Sequence, residues 1–166
     1  MAARKSSSPA KPSASPPSSP QSIPARPGSQ GAVSREYEWV PIDRLKVWVK
    51  NPRKNQKAVA KVAASINEFG FVRPIVGNQH PACLDEIIVG HTARLAALDL
   101  GLTEVPVRWV HLEPERAHAA ALADNKLGEI SAWDPEILGN LITTGEIGKS
   151  LFTLAGFTPF EFDRLG

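Results

Sequence analysis

Val59, Val62, Ala63 and Ile66 recur at i, i+3, i+4 and i+7, the spacing that places side chains on one face of an α-helix. They predict an amphipathic helix over about 56–68, with Gly70 placed as its C-cap. The other apolar runs are short and continuous, as strands are. Residues 37–42, 74–77, 87–89 and 105–110 read as strands, and 45–49 as a further extended piece broken by Asn51-Pro52. Pro106 suits an edge strand or a strand start, because proline has no N–H for a ladder. A second helix is expected from about Thr92 to Leu100, closed by Gly101. Beyond His111 the pattern turns helical. Pro114 stands where first-turn prolines stand, ahead of an alanine-rich run to Asp124. Asp134-Pro135-Glu136 reads as an N-cap and first turn for Ile137, Leu138, Leu141 and Ile142, and Thr158 with Glu161 as a capping box. The chain is therefore expected to form a small α+β domain with helices appended at its C-terminal side.

Composition divides the chain into three parts. Residues 1–36 are rich in Pro, Ser, Ala and Gly, with five Lys/Arg and one acid. Such a segment buries too little apolar surface to offset chain entropy, so a disordered basic tail is expected. Residues 37–112 carry the strands of an α/β core, and 113–166 a helical extension that completes the domain. A single cysteine, Cys83, excludes an internal disulfide and fits a reducing cytoplasm. No apolar run approaches the ~20 residues of a membrane span, and no secretion signal is evident at the N-terminus.

Candidate chemistry concentrates at Gly90-His91-Thr92, where the expected strand 87–89 meets a helix start. A helix N-terminus offers unpaired N–H groups and a partial positive charge, which suits an anion or phosphate. Arg94 follows within the first turn. A plain structural turn remains the alternative. A second feature is the acid-free span Arg44, Lys46, Lys50, Arg53, Lys54, Lys57 and Lys61, which encloses Trp48. Clustered cations would neutralise nucleic-acid phosphates, and an exposed indole would stack on an unpaired base. A solvated basic helix face with Trp48 packed inward is the competing reading. His80, His111 and His118 lack metal-ligand spacing with cysteine, so no zinc is expected, nor haem or flavin.

Taken in order, several segments resemble the ParB N-terminal (ParB/sulfiredoxin-like) domain. They are Leu45 with Asn51-Pro52-Arg53; Ser65-Ile66 through Gly70-Phe71-Val72-Arg73-Pro74-Ile75; Ile87-Ile88-Val89-Gly90-His91-Thr92; Val105-Pro106-Val107; and Ala123-Asp124-Asn125-Lys126-Leu127 with Trp133-Asp134. Together with Leu154-Ala155-Gly156-Phe157, the last segment resembles the version found ahead of DNA methyltransferases in bacteria and phages. The resemblance implies a mixed-sheet fold and a cytoplasmic, DNA-associated, nucleotide-binding module. It implies a nucleoside triphosphate held by Asn51, Arg53, Gly90, His91, Thr92 and Arg94, with Mg²⁺ at Asp124 and Asn125. Largely nonspecific DNA would be a partner, and the role would lie beside a methyltransferase or in DNA partition and maintenance. A metal-dependent nuclease or NTPase, or a small-molecule kinase of the same fold, stays open. One departure bears on this: relatives place arginine directly after the Gly-His-Xaa triplet, where this chain has Ala93. Arg94 comes one position later, turned by about 100° around the helix.

Overall fold

The computed structural model describes residues 36–166; the expected tail falls outside them, Glu36 apart. Strands β1 (Glu38–Pro41), β2 (Ile75–Asn78), β3 (Ile87–Val89) and β4 (Glu104–Val110) form one mixed sheet in the order β1-β4-β2-β3. β4 pairs antiparallel with β1 and parallel with β2, and β2 pairs antiparallel with β3. The helices are α1 (Gln56–Phe69), α2 (His91–Asp99), α3 (Pro114–Gly128), α4 (Pro135–Thr143), α5 (Lys149–Leu154) and α6 (Pro159–Leu165). Single 3₁₀ turns follow β1 at Ile42–Arg44 and β2 at Pro81–Cys83. The architecture is the expected α+β mixed sheet.

Alternation along the strands divides the core. Val105, Val107 and Trp109 of β4 join Ile75, Ile87, Val40, Leu45 and Ala97 on one side. Ile88, Val76 and Val110 turn the other way, onto Ala117 and Ala121 of α3. Strands with apolar residues on both faces read as continuous runs rather than as polar–apolar alternation, which is why their sequence pattern is short and unbroken.

Two expectations about extended segments change. Pro106 lies in an interior strand, not at an edge; pairing with β2 begins one residue later, at Val107, so the missing N–H falls where β4 has only β1 beside it. The piece expected over 45–49 reduces to one parallel bridge, Lys46 to Glu86. It is held by Lys46 N–H to Asp85 O and Ile87 N–H to Lys46 O, both 2.9 Å.

The helix ends follow their local chemistry. Gly70 caps α1, its N–H 2.8 Å from Ile66 O. Asp134 Oδ1 accepts the N–H groups of Glu136 and Ile137 at 3.0 Å. At α6 the capping box is complete, with Thr158 Oγ1 accepting from Glu161 N and Glu161 Oε2 from Thr158 N. Helix α5 carries no such signal in sequence, although Phe152 at its centre is buried between Phe157 and Phe162.

Candidate nucleotide and nucleic-acid site

Gly90 sets the geometry of the site. Its φ of +103° turns the chain from β3 into α2, and a Cβ there would stand 3.0 Å from Ile75 Cγ1. Only glycine meets both conditions at low cost. The first turn of α2 has no side-chain cap, and its first intrahelical bond is Arg94 N–H to Gly90 O at 2.9 Å. The N–H groups of His91, Thr92 and Ala93 therefore lack helical partners, at the positive end of the helix dipole.

That turn lines a cavity of about 450 Å³ enclosed by the loop before α1, the end of α1, the start of α2 and the last turns of α3. Its polar lining includes Asn51, Arg53, Lys54, Arg73, His91 and Thr92. Val62, Ile66, Phe71 and Pro74 add apolar surface to the same cavity. A charged group and a flat apolar group can occupy one such cavity at once.

Asn51, Arg53, Gly90, His91, Thr92, Asp124 and Asn125, remote in sequence, do line one cavity. Arg94 does not. The cavity takes in Ala93, while the Arg94 Nε is buried with no hydrogen-bond partner among the described side chains. The turn of about 100° between neighbouring helical positions accounts for this. Arg73 stands in the cavity instead, with Nη1 3.8 Å from Asp124 Oδ1. It belongs to the family-like segment, but sequence reasoning assigns it no role; its place shortly after the Gly70 cap is the available signal.

Asp124 and Asn125 lie within α3, one turn short of its end at Gly128. Asn125 Nδ2 donates to Ala121 O at 2.8 Å, leaving its oxygen as the remaining acceptor. One carboxylate beside an amide oxygen suits Mg²⁺ held mainly by phosphate. Among the described residues no group of three or more His, Cys, Asp or Glu is arranged for a metal.

The basic span divides into separate tasks. Arg44 is paired with Asp85 at 3.0 Å and lies over the Trp109 ring, 4.6 Å from its centroid. Lys61 donates to Gly156 O at 2.9 Å. Arg53 reaches Glu129 at 3.2 Å, and Lys126 beside it, first, and Arg53 hold that exposed carboxyl below its usual range. Lys46, Lys50, Lys54 and Lys57 are exposed. Trp48 is half-buried and not offered to solvent as a base-stacking platform. Its ring lies flat on His118 at 4.3 Å, and it packs against the buried cluster of Ile88, Ala117 and Ala121.

The His91 imidazole is held below its ordinary pKa by burial and, to a smaller extent, by the Arg94 charge, against the opposing pull of Glu86. Its Nε2 lies 3.3 Å from the Trp48 backbone nitrogen.

Fold and site together define a small α+β domain built around an anion-receptive helix N-terminus. Residues 27–126 match the ParB N-terminal domain family, and the chain belongs to that family. It is 37% identical over 86 residues to a probable chromosome-partitioning protein ParB of Vibrio cholerae, covering 51% of this chain and 29% of that protein. It is 31% identical over 127 residues to a probable plasmid-partitioning protein ParB of Thermus thermophilus, covering 76% of this chain and 42% of that protein. The chain thus spans less than half the length of these relatives. Among solved structures, the C-terminally truncated chromosome-partitioning protein ParB from Caulobacter crescentus, complexed with CTP-γ-S, superposes with a TM-score of 0.61. That match has 18% identity and covers 78% of this chain and 76% of the other. It supports the same fold.

Proposed function

We propose that this domain binds a nucleoside triphosphate in the cavity at the start of α2 and contacts DNA nonspecifically, in DNA partition or maintenance in the cytoplasm. The observation that carries the reading is the uncapped first turn of α2, opening behind Gly90 into a cavity that also receives Arg53, Lys54 and Arg73. Backbone N–H groups cradle phosphate oxygens, and arginine pairs with them two-pronged. The apolar side chains of Val62, Ile66 and Phe71 in the lining would take the base. Asp124 and Asn125 would hold Mg²⁺ against the phosphates, and the ion would neutralise their charge. The CTP analogue bound by the Caulobacter relative makes CTP the first nucleotide to test. The Vibrio and Thermus relatives, both partition proteins, favour partition over a methyltransferase companion. Exposed Lys50, Lys54 and Lys57 beside the cavity supply the DNA contact.

Calorimetry with CTP, ATP and GTP in Mg²⁺, with and without duplex DNA, tests this. Binding is expected, weakened at least about tenfold by Arg53→Ala or Arg73→Ala, since a charge-assisted pair contributes roughly that much. No heat with any nucleotide, or unchanged affinity in both variants, overturns the reading.

A further inference from the structure

A line of hydrogen bonds leads from α2 through the loop before α1 to the residue just past α3. His91 Nε2 accepts the Trp48 N–H at 3.3 Å, and Trp48 O accepts the Asn51 N–H at 3.0 Å. Asn51 Oδ1 then accepts the Arg53 N–H at 3.0 Å, and the Arg53 guanidinium reaches Glu129 just past α3. The loop that presents Asn51 and Arg53 is thus tied at its root to the first residue of α2. The Trp48 side chain fixes the same point from the other side: its ring is stacked 6° from parallel on His118, whose Nε2 lies 2.8 Å from Glu86 Oε1.

We propose that His91 is a positioning residue: as a neutral acceptor it holds the Trp48 N–H and so sets Asn51 and Arg53 at the cavity. The expected role of His91 in holding phosphate is replaced, at Nε2, by this one. An imidazole nitrogen that accepts from an N–H carries no proton, so the proton sits on Nδ1. Protonating Nε2 turns the acceptor into a second donor facing the Trp48 N–H, and the tie is lost. Glu86 ahead of β3 and Arg94 on its own helix act on the imidazole, His118 of α3 is bonded to that Glu86, and Arg53, Lys54, Arg73 and Asp124 line the same cavity. Burial keeps the neutral form dominant at neutral pH.

This rests on the nucleotide reading for its consequence, but not for its geometry, and the test separates the two. Amide exchange at Trp48 is followed by NMR in nucleotide-free protein from neutral pH down through protonation of the His91 ring, read from its own ring shifts, and corrected for intrinsic exchange. Protection is expected to fall roughly tenfold on acidification, the worth of one hydrogen bond. It should stay flat in His91→Gln, whose amide oxygen accepts without titrating, and be low throughout in His91→Leu. Protection that does not change as the ring protonates in the wild type, or wild-type protection in His91→Leu, overturns the proposal. In the nucleotide arm, His91→Leu should weaken binding and His91→Gln restore it. If exchange behaves as expected while neither variant alters affinity, the tie exists but does not serve the cavity, and the positioning role fails. If the wild type binds no nucleotide, it is the nucleotide reading that fails.

Discussion

The Trp109 ring occupies the space above Gly77 on the neighbouring parallel strand, where a Cβ would collide with its carbons. Trp109 cannot easily yield, because its indole N–H donates to Glu38 and its face carries Arg44. Gly77→Ala is therefore expected to destabilise the domain by about 1–3 kcal/mol through overpacking, read as a lower denaturation midpoint at unchanged slope.

Asn78, wholly buried at the end of β2, joins the 3₁₀ turn at Pro81–Cys83 to the approach to α3. Its Nδ2 donates to Leu112 O at 2.8 Å and to Cys83 Sγ, and its Oδ1 accepts from Leu112 N and His80 N. Asn78→Leu keeps the heavy-atom number and branching but strands these backbone groups, each at a cost on the order of 1–3 kcal/mol. Equilibrium unfolding should show a larger destabilisation than that of Gly77→Ala.

Helix starts and stops are legible in the sequence because each depends on a few adjacent residues: Gly70, Asp134 with Pro135, and Thr158 with Glu161 all act at the expected places. The strand order is not, since it depends on pairings such as Ile75 with Val107, which no local pattern encodes. At the site, the turn at Gly90 is visible as strand, glycine and helix. The inward turn of Trp48 is not, because only the fold brings His118 beneath it. The charge of Lys61 looks available for DNA until the fold brings the Gly156 carbonyl, between α5 and α6, against it.

His91 links stability to pH. Its folded pKa lies below the ordinary 6.5, so the unfolded chain takes up the proton first. The stability it contributes is complete above about pH 6.5 and is lost as pH falls toward the folded value. Urea unfolding at several pH values should show this loss in the wild type and a smaller one in His91→Gln.

Lys50, Lys54 and Lys57 are exposed, whereas Trp48 is packed on His118. Replacing the three lysines by alanine should weaken duplex DNA binding and reduce the slope of log affinity against log salt by about 2–3, one unit or slightly less for each phosphate no longer neutralised. Trp48→Leu should leave that slope unchanged. Fluorescence anisotropy at several salt concentrations measures both.

The most direct test of the phosphate seat at α2 is an NMR titration of the protein with CTP and Mg²⁺. The account predicts that the largest amide shifts fall on Gly90 through Ala93, with Asn51 and Arg53 following at the same midpoint. Saturable binding that leaves those amides in place and moves signals elsewhere would contradict it.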